Sequence, residues 1–276
     1  MASKVRLFVD HPLALAQAVP VTRDQAHYLF GVMRLGVGAE VELFNGRDGA
    51  WDCAVVEAGK RGGLLAPRAL VAPVRIPPDV WLIFAPIKKT RTDFIVEKAA
   101  EMGARRIMPV QTTYTNADRI RQDRLQAHAV EAAEQCGGTY VPEVAPLVRL
   151  DKLLETWPAP RRIMFCDEAK VGDPAGLEAA LPSLSGAAPE PWAIVIGPEG
   201  GFAEPERTRL AQMPGAVRVS LGPRILRADT AAVAALTLWQ QVLGDWGAHH
   251  RADSGASSGA DNGTSSGSNH AQGTAP

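Results

Sequence analysis

The chain has no apolar run able to cross a membrane: stretches such as residues 193–196 fall far short of the roughly 18 consecutive apolar residues that a spanning helix needs. It is poor in cysteine. Cys53, Cys136 and Cys166 are odd in number, widely spaced and without a C-x-x-C pair, which argues against a disulfide framework or a zinc site and favours buried free thiols. The six histidines lack ligand spacing, and His249, His250 and His270 sit near the end of the sequence, so no metal centre is expected. The first ten residues contain neither the apolar segment nor the small-residue cleavage site of a secretory signal, so the expected compartment is the cytoplasm. Charge of one sign is also missing. With Lys+Arg 29 against Asp+Glu 30 the net charge is −1, so no global field announces a nucleic-acid partner, although local basic patches remain open.

What is present is ordinary globular stock. The 276 residues, 46% hydrophobic and 21% charged, suit two domains or one large one with a buried core. Residues 247–276 hold six Gly, six Ser and six Ala but no Leu, Ile, Val, Phe, Trp or Tyr, and burial there cannot offset the entropy of ordering, so a disordered tail is expected. Pro73, Pro77 and Pro78 mark a linker over residues 73–79. Upstream, residues 1–72 contain short, partly alternating runs at 4–9, 40–44, 51–57 and 64–70, with Asn45-Gly46 and Asp48-Gly49 as hairpin chemistry, and read as a small β-domain. One helix is expected inside it, about 22–33, with Thr22 as its N-cap.

Downstream, over residues 80–246, strands alternate with helices. Runs at 81–85, 107–110, 163–166, 193–196 and 217–221 read as buried strands. Ile95, Ala99 and Met102 line one helix that stops at Gly103, and Leu125, Ala129, Ala132, Ala133 and Cys136 another that stops at Gly137. Ala232, Leu236, Trp239 and Leu243 give a last helix a matching face. The fold class is therefore α/β with a mainly parallel sheet, and ligands are expected beyond the carboxyl ends of its strands.

Three segments there carry candidate chemistry. Gly197-Pro198-Glu199-Gly200-Gly201-Phe202 follows a strand and precedes a helix; it reads either as a plain Gly-Pro turn or as a loop whose glycines admit a ligand close to the backbone. Leu221-Gly222-Pro223-Arg224-Ile225-Leu226-Arg227-Ala228-Asp229-Thr230 joins the last strand to the last helix. Ile225 and Leu226 are too apolar for an idle loop and suit an adenine ring, while Asp229 or Thr230 is equally readable as a helix cap. Lys88-Lys89-Thr90-Arg91, with Arg119, Arg121 and Arg124 further on, gives the stretch 80–130 a local basic excess that suits phosphate or a solvated helix face. Neither G-x-G-x-x-G nor a P-loop occurs, and Ile87-Lys88-Lys89 stands after the first strand, which argues against a nucleotide-dependent oxidoreductase.

GPEGGF at 197–202 and LGPRILRADT at 221–230, with EKAAEMG at 97–103 and EAAEQCG at 131–137, resemble the bacterial 16S ribosomal RNA uridine-N3 methyltransferases of the SPOUT superfamily. The order of all four motifs matches, and the resemblance runs from about Val5 to Trp246. It implies a methyltransferase domain with a C-terminal trefoil knot behind a small N-terminal PUA-like β-barrel that binds RNA. It also implies S-adenosylmethionine as methyl donor, held by Phe165, Cys166, Ile196, Gly197, Pro198, Glu199, Gly200, Gly201, Leu221, Gly222, Ile225, Leu226 and Arg227. The implied partners are 16S ribosomal RNA or the small subunit and a second copy of the chain; the last helix, with Leu236 and Trp239, packs either on that copy or against its own sheet.

Arg6, Arg34, Lys88, Lys89, Arg91, Arg119 and Arg121 are the expected RNA contacts, Arg6 and Arg34 by match to basic positions of the family. Arg227 is the expected stabiliser of charge on the uracil ring, with Asp229 as orienter or base. The chain departs from the family at Tyr114 and Gly138, where Arg is usual, and at Asp229, where Glu is usual. A catalytically silent RNA-binding or ribosome-assembly factor on the same fold is the alternative.

Overall fold

A computed structural model of the chain describes residues 4–117, 119–168 and 190–246; the expected tail, 247–276, lies outside the described residues. The N-terminal unit is built from β1 (Arg6–Phe8), β2 (Val19–Val21), α1 (Arg23–Ala26), β3 (Glu40–Phe44), β4 (Ala50–Gly59) and β5 (Gly62–Ala72), in the sheet order β1-β3-β4-β5-β2. Thr22 caps α1 as expected: its hydroxyl accepts from the Gln25 amide while the Gln25 side chain accepts from the Thr22 amide. The helix then widens into a π-helical turn over His27–Val32. Strand β2 has no counterpart in the sequence reading. It is three residues long with Pro20 at its centre, which is tolerated because β2 forms the sheet's edge. No ladder joins β1 to β2 among the described residues, so in hydrogen-bonding terms the expected barrel is an open sheet.

The second unit runs β6 (Val80–Phe84), α2 (Lys89–Glu101), β7 (Arg106–Gln111), α3 (Gln122–Cys136), β8 (Glu143–Val144), β9 (Val148–Arg149), α4 (Leu150–Glu155), β10 (Arg162–Cys166), β11 (Trp192–Ile196), α5 (Glu204–Gln212), β12 (Ala216–Val219) and α6 (Ala228–Val242). The sheet order is β12-β10-β11-β6-β7-β8, with β9 on β7, and every ladder is parallel. Both faces are covered. Leu82, Phe84, Ile194 and Ile196 pack with Ile95, Leu125, Leu236 and Trp239 of α2, α3 and α6, while Ile83, Ala193 and Val195 pack on the other side with Leu150, Leu154 and Leu210 of α4 and α5. This sandwiching explains the continuous apolar character of the strands.

Helices α2 and α3 stop where the sequence places glycine, at Gly103 and Gly137, both with positive φ. Gln240 of α6 is fully buried and donates to the carbonyl of Met102 at 2.7 Å, closing the end of α2. Leu236 and Trp239 lie in the chain's own core, the second of the two placements open to them from the sequence.

The two units are joined by an arginine. Arg6 of β1 pairs with Glu42 at 2.6 Å and donates to the carbonyls of Ala133 and Glu134 (2.9 and 3.0 Å) and of Gly138 (3.0 Å) at the end of α3. A guanidinium suits that position because its fork reaches several carbonyls that the helix leaves without partners and its charge complements the negative end of the helix dipole. The neighbouring Phe8 amide donates to Glu134, whose carboxyl is pushed above its usual range chiefly by burial. Replacing Arg6 by Ala is expected to lower stability by about 2–3 kcal/mol, with Lys restoring only part of the loss; the midpoint of chemical denaturation checks it.

Candidate functional site

Because β10, β11 and β12 are parallel neighbours, the loops that follow them leave the same edge of the sheet. Cys166, Asp167 and Glu168 from the first loop, Ile196 to Glu199 and Gly201 from the second, and Val219, Leu221 and Arg224 to Ala228 from the third wall one cavity of about 310 Å³, completed by Ala231 of α6. That volume lies in the range of small-molecule sites.

Glycine is required in the middle loop. Gly201 has φ +71°, and a Cβ there would strike the carboxylate of Glu168; a Cβ on Gly197 would come within 2.8 Å of the Phe202 ring. Phe202 turns under the loop and meets Phe165 edge-on, ring centres 5.4 Å apart. In the third loop Gly222 has φ +110° and is held by the Ser220 hydroxyl.

The charges around the cavity are organised in pairs. The fully buried Asp167 carboxylate pairs with Arg218 and lies 3.6 Å from Arg207, which also donates to Glu168 at 2.9 Å. Arg227, the N-cap of α6, reaches Glu199 at 3.3 Å, so an ion pair ties the third loop to the second. Asp229 stands inside the first turn of α6 and accepts from the Thr230 amide and from Arg91 of α2, the latter at 3.0 Å.

A second cavity, about 200 Å³, shares Pro198 and Glu199 with the first and is otherwise walled by Pro86, Ile87, Lys88, Tyr114, Asn116 and Ala117. A third, about 380 Å³, shares Pro86, Ile87 and Ala117 with the second and adds Lys89, Arg119, Arg121 and Arg124. Three cavities thus follow one another along the carboxyl edge of the sheet.

Residues 75–240 match the RNA methyltransferase domain family, and residues 21–66 match its companion, the RNA methyltransferase PUA domain. The chain belongs to the RNA methyltransferase domain family. It is 32% identical to the ribosomal RNA small subunit methyltransferase E of Mycobacterium tuberculosis, over 83% of this chain and 88% of that protein. It is 26% identical to the protein of the same name from Rickettsia conorii, over 84% and 93%. In fold it is similar to a Legionella pneumophila putative methyltransferase solved with S-adenosylmethionine (TM-score 0.78, 24% identity, 88% of this chain and all of that one). A Neisseria gonorrhoeae ribosomal RNA small subunit methyltransferase E solved with the same molecule is likewise similar (TM-score 0.76, 24% identity, 88% and 100%).

Within this methyltransferase domain, Cys166, Ile196, Gly197, Pro198, Glu199, Gly201, Leu221, Ile225, Leu226 and Arg227 of the expected set line the first cavity. Phe165, Gly200 and Gly222 do not: Phe165 is buried beneath the loops, Gly200 packs against Tyr114, and Gly222 shapes its turn. Sequence reasoning missed Val219, Ala228 and Ala231, whereas Arg224 lies inside the 221–227 segment and Asp167 and Glu168 directly follow the expected Phe165-Cys166. The Asp167-Glu168 pair at the carboxyl end of an expected strand was a usable signal, whereas Ala228 and Ala231 look like any helix residues. The N-cap of α6 is Arg227, not Asp229 or Thr230, and Asp229 is absent from the cavity wall.

The expected RNA contacts divide. Lys88 lines the second cavity, Lys89, Arg119 and Arg121 line the third, and Arg34 is exposed on the N-terminal unit with φ +55°. Arg91 is engaged by Asp229, and Arg6 is engaged between the units, which leaves it little to offer a phosphate. Among the described residues no cluster of His, Cys, Asp or Glu is arranged to hold a metal ion, and no helix is long and apolar enough to cross a membrane.

Burial raises the thiol of Cys166 above its usual range and that of Cys53 to about 12, whereas Cys136 is exposed. At pH 8 a thiol reagent such as Ellman's is therefore expected to modify Cys136 rapidly and the other two only as fast as the fold opens. The time course of reaction per chain, with and without denaturant, checks this.

Proposed function

We propose that the chain transfers the methyl group of S-adenosylmethionine to N3 of a uridine in the 16S RNA of the small ribosomal subunit. The observation that carries this reading is the first cavity, formed by both glycine loops together and sharing Pro198 and Glu199 with a second cavity. Its residues fit the donor. Ile196, Leu221, Leu226 and Ala231 offer aliphatic contact for a flat adenine, the glycines bring backbone polar groups close, and Glu168 and Glu199 supply negative charge for hydroxyls and a sulfonium. When bound, S-adenosylmethionine supplies a sulfonium-activated methyl group, which passes to the uracil nitrogen while the pair of the broken carbon–sulfur bond stays on sulfur.

The residues' own work follows from their places. The Glu199 carboxylate, common to both cavities, receives the N3 proton, and Arg227 beside it stabilises the negative charge that spreads to the uracil oxygens. Asp229 positions: it holds Arg91 against the start of α6 and keeps the third loop in place. The cations Lys88, Lys89 and Arg119, none of them ion-paired among the described residues, hold phosphates, which fix register without reading sequence. Arg121, paired with Asp123 at the surface, adds to that field, and Arg34 extends it onto the PUA domain.

The trefoil knot implied by the resemblance belongs to this reading. A homodimer, formed through a surface other than the Leu236 and Trp239 face, and a cytoplasmic location complete the reading.

With labelled S-adenosylmethionine and small subunits from a strain lacking this protein, the wild-type chain is expected to label one uridine, identified by mass spectrometry. No binding of S-adenosylmethionine in calorimetry would leave the silent RNA-binding factor instead. Glu199→Gln is expected to lower kcat about 100-fold or more, while Asp229→Asn moves KM and stability more than kcat. Lys89→Ala and Arg119→Ala are each expected to weaken RNA binding and flatten its log–log salt dependence by about one unit, read from titrations at several salt concentrations.

A further inference from the structure

We infer that the second cavity receives the target pyrimidine base, with the ring of Tyr114 as its stacking platform; this rests on the methyltransferase reading and adds which residues hold the acceptor. Position is the first argument. The cavity shares Pro198 and Glu199 with the donor cavity and Pro86, Ile87 and Ala117 with the basic one, so its occupant lies between a methyl donor and a phosphate-binding surface. That is the place of a base whose ribose-phosphate continues along the RNA. At about 200 Å³ it is also smaller than the donor cavity, in keeping with a single ring.

The second argument is the state of Tyr114. It is a large aromatic residue left 50% exposed, yet its loop is firmly tied. The Thr112 and Thr115 hydroxyls meet at 2.9 Å, and the Thr113 amide and hydroxyl donate to Glu206 at 2.8 and 3.1 Å. Glu206 also accepts from the Ala203 amide at the start of α5, which fixes the tyrosine loop against the GPEGGF loop. Gly200 lies directly beneath: a Cβ there would come 3.2 Å from the Tyr114 Cβ. An aromatic side chain that lines a cavity, half exposed, on a loop held by its neighbours is pre-organised for stacking, the contact by which proteins seize unpaired bases.

The polar groups match one edge of uracil, which presents an N–H between two carbonyl oxygens. Glu199 accepts, and the Asn116 amide donates or accepts. A base taken into this cavity must leave its stack, so the platform also replaces the stacking energy lost from the RNA.

The test uses the full chain and its Tyr114→Ala, Tyr114→Phe and Asn116→Ala variants. Affinity for S-adenosylmethionine is measured by calorimetry, and affinity for a fluorescent single-stranded oligouridine by anisotropy with S-adenosylhomocysteine present. Tyr114→Ala is expected to raise the oligouridine Kd about tenfold or more, Tyr114→Phe to stay within about twofold of wild type, and the donor's Kd to be unchanged in both. Asn116→Ala is expected to weaken oligouridine binding with the donor's Kd unchanged. Oligouridine affinity that is unaltered in Tyr114→Ala overturns the inference. So does a weakened affinity for S-adenosylmethionine, which would assign the cavity to the donor. Failure of the wild-type chain to bind S-adenosylmethionine sinks the reading of the previous subsection instead, while the oligouridine arm still decides whether Tyr114 holds a base.

Discussion

The parallel pairing of β10 with both β11 and β12 is the constraint on which the site depends. In an antiparallel sheet the loop after β10, which lies between β11 and β12, would leave from the edge opposite to the two glycine loops. Here every ladder of the second unit runs one way, so the loops after Cys166, Ile196 and Val219 emerge side by side, and residues separated by tens of positions become one wall. The sequence meets this demand with strands that are apolar on both faces, because helices cover the sheet above and below. It meets it again with glycine where a side chain would collide with a neighbouring loop, as at Gly197 and Gly201. The site is then braced by short-range pairings, Arg227 with Glu199 between the third and second loops and Arg207 of α5 with Glu168 of the first.

Features governed by local rules were legible in the sequence. Strand β3 was expected at its observed bounds, Thr22 caps its helix, and Gly103 and Gly137 end theirs, because each depends on a few adjacent residues and a backbone conformation that only certain side chains favour. Features set by tertiary neighbours were not. Strand β2 contains a proline and exists because β5 offers it an edge; β8 and β9 are two residues each and pair only because β7 lies beside them. The same division runs through the site. The two glycine loops announced themselves, while Val219 and Ala231 line the cavity through folding alone.

Arg6 and Asp229 show why residue type and position do not fix a role. Both were expected near RNA or the reacting base, and both are instead held by other elements of the chain. Arg6 closes the carbonyl end of α3 and fastens the PUA domain, and Asp229 binds a cation of α2. A chain of nearly zero net charge can still present a basic surface, because many of its carboxylates are engaged in such pairs while Lys88, Lys89 and Arg119 are left facing outward.

The pair between Arg91 and Asp229 has a structural consequence. Arg91 begins the helix that borders the two outer cavities, and Asp229 begins the helix whose cap reaches Glu199. One salt bridge therefore clamps the first turn of α2 to the first turn of α6, so the element that edges the outer cavities and the element whose cap meets the glycine loop share a common anchor.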